Sequence, residues 1–127
     1  MFDALFPIEC KRLPTPKRNN RDEREYVFTA PGTTGGIQRY KFGHHGAAHN
    51  FAAMIAYVQE QTISHWLIQV NGWIRGLAAD ANSNWSDSDV LQDADHQSST
   101  ETRTLRSNHP RIGGFGDIEI HHLWIRM

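Results

Sequence analysis

Phe6-Pro7-Ile8-Glu9-Cys10-Lys11-Arg12-Leu13 reads as a β-strand that carries a carboxylate and an ammonium two residues apart between apolar neighbours. In a strand the side chains at i and i+2 share a face, and i+1 takes the other. Glu9 and Lys11 are therefore expected side by side, with Phe6, Ile8 and Cys10 pointing into a core. Burying such a pair costs several kcal/mol unless the charges are paired or serve a site. On these residues alone two readings stand: a structural ion pair near a sheet edge, and half of a functional centre.

Pro7 lacks an N–H and suits the start of a strand, and Pro14-Thr15-Pro16 ends it. Residues 14–25 combine two prolines, Asn19-Asn20 and dense mixed charge, and read as an exposed, mobile basic loop. Tyr26-Val27-Phe28 is a short apolar patch suited to packing back on the core. A short helix is expected from Ile37 to Gly43, started by Thr33 or Thr34. Ala52 to Val58 is a continuous apolar run, expected as a strand covered on both faces. Ile63, Trp66, Leu67, Val70, Ile74 and Leu77 repeat at helical spacing behind a Thr62 cap, a stripe that marks core packing.

Residues 80–97 are acidic and poor in pattern, and read as a long exposed loop pinned by Trp85 and Val90-Leu91. Ser98 to Leu105 and Ile118 to Met127 read as the arms of a β-hairpin around a turn at 111–117. The expected order is strand, loop with short helix, buried strand, helix, hairpin.

A chain of 127 residues holds one domain, 1–127, with room for a single core. It contains no apolar run of membrane-spanning length, and its first residues lack the pattern of a secretory signal. The expected setting is the cytoplasm, which suits a single cysteine, Cys10. Net charge is −1, but its distribution is uneven. Eight Lys/Arg stand against five Asp/Glu between Met1 and His45, giving +3, whereas Asp80 to Glu101 holds six acids and no Lys or Arg. A solvated charged face is the ordinary explanation of such runs, and a phosphate-binding surface the functional one.

Four blocks taken in order carry a resemblance: Ile8-Glu9-Cys10-Lys11-Arg12-Leu13, Gly35-Gly36-Ile37-Gln38-Arg39-Tyr40, Met54-Ile55-Ala56-Tyr57-Val58, and the closing Ser107-Asn108-His109-Pro110-Arg111 with Ile118-Glu119-Ile120-His121-His122-Leu123. Together the chain resembles the C-terminal part of bacterial restriction-endonuclease-like proteins of the PD-(D/E)xK superfamily. The resemblance implies an α/β (α+β) fold, a mixed sheet flanked by helices, without the N-terminal helix and strands of the full core. It also implies metal-dependent phosphodiester hydrolysis of DNA in a nuclease or defence protein. Mg²⁺ (or Mn²⁺) would be held by Glu9 and the Cys10 backbone carbonyl, and Lys11 would position or deprotonate the attacking water. Gln38 would add a polar contact, and Arg12, Lys17, Arg18, Arg21 and Arg24 would meet the DNA backbone.

The superfamily's second acidic ligand, an Asp on a preceding strand, has no counterpart here. Asp3 is six positions before Glu9, roughly 20 Å along an extended strand. Asp22, Glu23 and Glu25 sit on a loop that can fold back. The expected partners are DNA and a second chain or homodimer that completes the sheet, with no membrane. The alternative is an inactive remnant of the fold that acts as a binding or assembly module. A third reading places zinc on His44, His45 and His49, where 45 and 49 share a face if helical.

Overall fold

The computed structural model describes residues 6–17, 21–30, 32, 34–44, 47–94, 99, 101–111 and 114–127. Strand β1 (Ile8–Leu13) leads through helix α1 (Gly36–Lys41) to β2 (Phe51–Val58), followed by helix α2 (Ile63–Ala78). A 3₁₀ turn at Asp87–Asp89, the two-residue β3 (Gln92–Asp93), β4 (Thr102–His109) and β5 (Ile118–Arg126) complete the order. The fold is α+β, one mixed five-stranded sheet in the order β1-β2-β5-β4-β3. β1, β2 and β5 are parallel, and β4 and β3 join by antiparallel pairing. Two parallel neighbours need a crossover rather than a hairpin, and α1 with its flanking loops supplies the one between β1 and β2.

Registers align the same face across the sheet: Lys11 pairs Ala56, which pairs Trp124, and Met54 pairs His122, which pairs Leu105. On that face Leu13, Ala52, Met54, Ala56, Val58, Leu105, Ile118, Ile120 and Trp124 are buried against Ile37 and Tyr40 of α1 and Ile63, Trp66, Val70 and Ile74 of α2. The α2 stripe and its cap are as expected, with Thr62 Oγ1 accepting the His65 N–H at 3.0 Å. Tyr26 and Val27 pack into the same core.

The other sheet face carries no helix among the described residues, and this corrects two expectations. Ile8 is 54% exposed and Phe6 37%, and Cys10 is exposed, so these three point away from the core while Glu9 and Lys11 lie on the covered side. In β2 only alternate residues are buried, with Phe51, Ala53, Ile55 and Tyr57 half-buried, so the strand is covered on one face. A continuous apolar run does not say how many layers it meets.

Smaller differences have local causes. α1 starts behind Gly35 rather than Thr34, with Thr33 outside the described residues, and glycine at 36 admits the close approach of the Tyr26 carbonyl, from which a Cβ would stand 2.6 Å. The chain leaves α1 through Gly43, whose φ of +76° suits glycine. β4 runs from Thr102 to His109, later than expected. The acidic stretch is only partly exposed: Trp85, Asp89 and Leu91 are buried, and Asn71 of α2 exchanges hydrogen bonds with the Leu91 backbone at 2.8 and 3.1 Å.

Ser107, His109 and His122 on the covered face form one hydrogen-bonded chain with Asp89, Lys41, Tyr26 and Trp124. Asp89 Oδ1 meets Lys41 Nζ at 3.2 Å and His109 Nδ1 at 2.6 Å, while Oδ2 accepts the Ser86 N–H at 2.8 Å. His109 Nε2 lies 2.7 Å from Ser107 Oγ, which lies 2.7 Å from His122 Nε2. His122 Nδ1 is 2.6 Å from the Tyr26 hydroxyl, and Trp124 Nε1 donates to that hydroxyl at 2.9 Å.

The carboxylate only accepts, and this sets the direction of every other bond. His109 carries its proton on Nδ1, so Nε2 accepts from Ser107. Ser107 then accepts from His122 Nε2–H, and His122 Nδ1 accepts from Tyr26. Both imidazoles are neutral in this arrangement. Burial pushes the His122 pKa well below its usual value, with His109 and His121 adding to the shift. Burial also lowers His109, against the pull of the Asp89 hydrogen bond and charge. For Asp89 burial raises the pKa, but the bonds from His109 and Ser86 and the charge of Lys41 outweigh it and leave the carboxyl below its usual range.

Two outcomes are expected. Asp89→Ala leaves the buried Lys41 ammonium without its counter-charge and should cost about 3–5 kcal/mol in a urea titration; a change within experimental error would remove Asp89 as the anchor. Because both histidines have folded pKa values below the unfolded value of about 6.5, the unfolded chain binds more protons as pH falls. Stability present above about pH 6.5 is therefore lost below it, with a further loss below about pH 4 as Asp89 protonates. The melting temperature should be flat from about pH 7 to about pH 9 and decline from about pH 6 downward; a flat profile through that acid range contradicts the assignment.

Candidate functional site

Two elements bring the site together. β1 sets Glu9 and Lys11 on the covered face, and α1, seated against Met54 and Tyr26, carries Arg39 towards them. Glu9 Oε1 accepts from Arg39 Nη1 at 2.6 Å. Glu9 Oε2 is buried and has no hydrogen-bond partner among the described residues. Lys11 Nζ donates to the Thr34 carbonyl at 3.3 Å and stands 3.8 Å from Glu25 Oε2. Glu25 in turn holds Arg21, through Arg21 Nε at 3.1 Å and through Nη2. Side-chain exposure is 11% for Glu9 and 14% for Lys11, so both ends of the pair are shielded from water. The Tyr40 phenol is pushed up by burial and then by the charge of Glu9, which keeps it protonated beside the carboxylate.

A cavity of about 520 Å³ opens beside β1, with Lys11, Arg12, Arg21, Glu25 and Tyr57 in its wall. Three cations against one carboxylate make it favourable for an anion. Glu9 does not line it but projects from the same strand face as Lys11.

Gln38 is 2% exposed, and its amide is used within its own loop. Oε1 accepts the N–H groups of Gly35 at 3.1 Å and Thr29 at 3.2 Å, and Nε2 donates to the Thr29 carbonyl at 3.3 Å. The expected polar contact to the site is not among these bonds. Gln38 instead fixes the turn that presents the Thr34 carbonyl to Lys11. Of the expected backbone-binding cations, Arg12 and Lys17 are exposed and Arg18 lies outside the described residues. Arg21 is paired with Glu25, and Arg24 with Asp22 while its guanidinium covers the Phe28 ring at 4.8 Å. The stretch is thus laced by local ion pairs.

Of the loop carboxylates, Glu25 reaches Lys11, and Asp22 turns to Arg24. Asp3 and His45 lie outside the described residues, His44 is exposed, and His49 Nδ1 is buried with no hydrogen-bond partner among the described residues. Among the described residues no group of three or more His, Cys, Asp or Glu is placed to hold a metal ion.

Arg39 is the site residue that sequence reasoning missed; its position on α1 facing an acidic strand residue is visible only once the crossover is built. Ser107, His109 and Asp89 were missed as a group, although alternation puts His109 and Ser107 on the face of Leu105. Their contacts match a nucleophile, a base and the carboxylate that orients it. Ser107 is 3% exposed and its oxygen is bonded on both sides, so no substrate reaches it and the arrangement holds the core together. Comparison with protein-family models, with curated proteins and with solved structures finds no match to this chain.

Proposed function

We propose that this chain carries the glutamate and lysine half of a centre that hydrolyses phosphodiester bonds in DNA with Mg²⁺ or Mn²⁺, as the resemblance to PD-(D/E)xK proteins implies. The observation that carries the reading is Glu9 Oε2, a buried acceptor without a hydrogen-bond partner on a carboxylate that Arg39 holds in place. Leaving such an oxygen unsatisfied costs about 1–3 kcal/mol or more, and native structures seldom retain one without a use.

The donor types suit a hard ion. A carboxylate oxygen and the Cys10 carbonyl are both oxygen ligands, and Mg²⁺ is commonly held by one or two carboxylates with waters and substrate phosphates filling the rest. Bound there, the ion supplies an acidified water and neutralises charge on the phosphate. The remaining roles belong to the chain. Arg39 fixes the Glu9 carboxylate, Lys11 exchanges the Thr34 carbonyl for a phosphate oxygen or the attacking water, and Arg12 and Lys17 meet the backbone.

A second reading has its own observation. Glu9 is already paired with Arg39, and Lys11 already stands near Glu25, so the cluster is charge-compensated without any ligand. In that case the chain is a binding or assembly module.

Supercoiled plasmid separates the two. The hydrolytic reading expects nicking that needs Mg²⁺ or Mn²⁺, stops with EDTA, weakens steeply with salt and falls about 100-fold or more in Glu9→Ala and Lys11→Ala. Nicking that is absent, or equal in both variants, removes it and leaves the module.

A further inference from the structure

β1 ends the sheet, and among the described residues no strand pairs with its outer edge. The pairing with β2 uses the backbone of alternate residues: Pro7 C=O accepts from Ala53 N–H and Leu13 C=O from Gln59 N–H. By that alternation the N–H and C=O groups of Ile8, Cys10 and Arg12 point outward. Such an edge is a template for another strand.

We propose that the occupant is the β1 strand of a second copy, paired antiparallel about a two-fold axis through Cys10. A two-fold axis perpendicular to the sheet keeps the covered faces of both copies on one side. Each residue therefore meets one of its own face, and the register moves only in steps of two.

Centring on Glu9 sets two carboxylates opposite each other, and centring on Lys11 sets two ammonium groups opposite. Centring on Cys10 places Glu9 opposite the partner's Lys11 and Lys11 opposite the partner's Glu9. It also uses every outward-facing group, since Ile8 meets the partner's Arg12 and Cys10 meets the partner's Cys10. Pro7, which has no N–H to give, falls outside the hydrogen-bonded positions. The like-charge registers use fewer of these groups.

Charge and hydrogen bonding thus select the same register. Glu9 and the partner's Lys11 form a non-hydrogen-bonded pair, the closer kind, with Cα atoms about 4.5 Å apart. The Glu9 carboxylate thereby gains a cationic neighbour across the seam. The cavity along Cys10, Lys11 and Arg12 is open space at the same edge.

One consequence rests on the hydrolytic reading. The partner's Glu9 falls on the diagonal, with Cα atoms about 7–8 Å apart, so in the dimer, where the pairing takes up the Cys10 carbonyl, the second copy's carboxylate replaces that carbonyl as the second oxygen ligand for a divalent ion.

The test uses the full chain without metal or DNA, so that it stands apart from any hydrolysis. Sedimentation equilibrium at high micromolar concentration should give a dimer, and a short bis-maleimide should join the copies through Cys10, since a hydrogen-bonded antiparallel pair holds its Cβ atoms about 5.5 Å apart, too far for a direct disulfide but within the span of the reagent. Glu9→Lys alone and Lys11→Glu alone should each weaken the dimer about tenfold or more, because each sets like charges opposite. The double exchange Glu9→Lys with Lys11→Glu should recover the dimer relative to either single variant, and because the exchange also sets like charges against Arg39 and Glu25 of the same copy, the circular-dichroism melt of every variant controls for loss of folding. A monomer at that concentration overturns the proposal. So does a dimer that ignores both single reversals and gives no Cys10 cross-link, which would point to another surface.

Discussion

Among the described residues only one face of this sheet is covered, and the rest of the structure depends on that constraint. A strand alternates its side chains whatever their chemistry, so covering one face commits every second residue of β1, β2, β4 and β5 to the interior. Most of the committed positions are aliphatic or aromatic and need only room. Ser107, His109 and His122 are not, and they sit there because Asp89, Lys41, Tyr26 and Trp124 complete their hydrogen bonds. The buried carboxylate comes from the acidic stretch and the ammonium from α1, so parts of the chain far apart in sequence converge on one charge.

The candidate site obeys a different logic. Glu9 and Lys11 occupy the covered face of the outermost strand, where the layer above is a loop and the start of a six-residue helix. Satisfaction there is incomplete: one carboxylate oxygen has no hydrogen-bond partner among the described residues, and the lysine makes one bond to the Thr34 carbonyl and a long contact with Glu25. The central strands hold a network that is fully bonded and closed to solvent, while the edge strand holds a pair that is held in place but unfinished. That division separates what keeps the chain folded from what is available to a ligand or a second chain.

Much of the architecture was legible in the residues. The α2 stripe, the β4–β5 hairpin, the β2 run and the shared face of Glu9 and Lys11 all follow from spacing alone. The direction of the Glu9 face did not, because alternation tells which residues share a face and not which face is covered. Hydrophobicity points Phe6, Ile8 and Cys10 inward, and the position of the helices turns them out. Asp89 was hidden because an aspartate in an acidic run looks solvated until its partners, twenty residues on and forty-eight residues back, are brought to it. Arg39 was hidden for the same reason. Long-range charge pairs leave no local pattern.

The chain from Trp124 to Asp89 also has a spectroscopic meaning. Its hydroxyl and ring hydrogens are sheltered from water and locked in one orientation, so they exchange slowly enough to be observed as individual resonances. His109 holds the less common Nδ1–H tautomer and His122 the Nε2–H form, which gives the two rings distinguishable nitrogen signatures in one interior. The folded core therefore carries its own internal markers, which report on its packing without any added label.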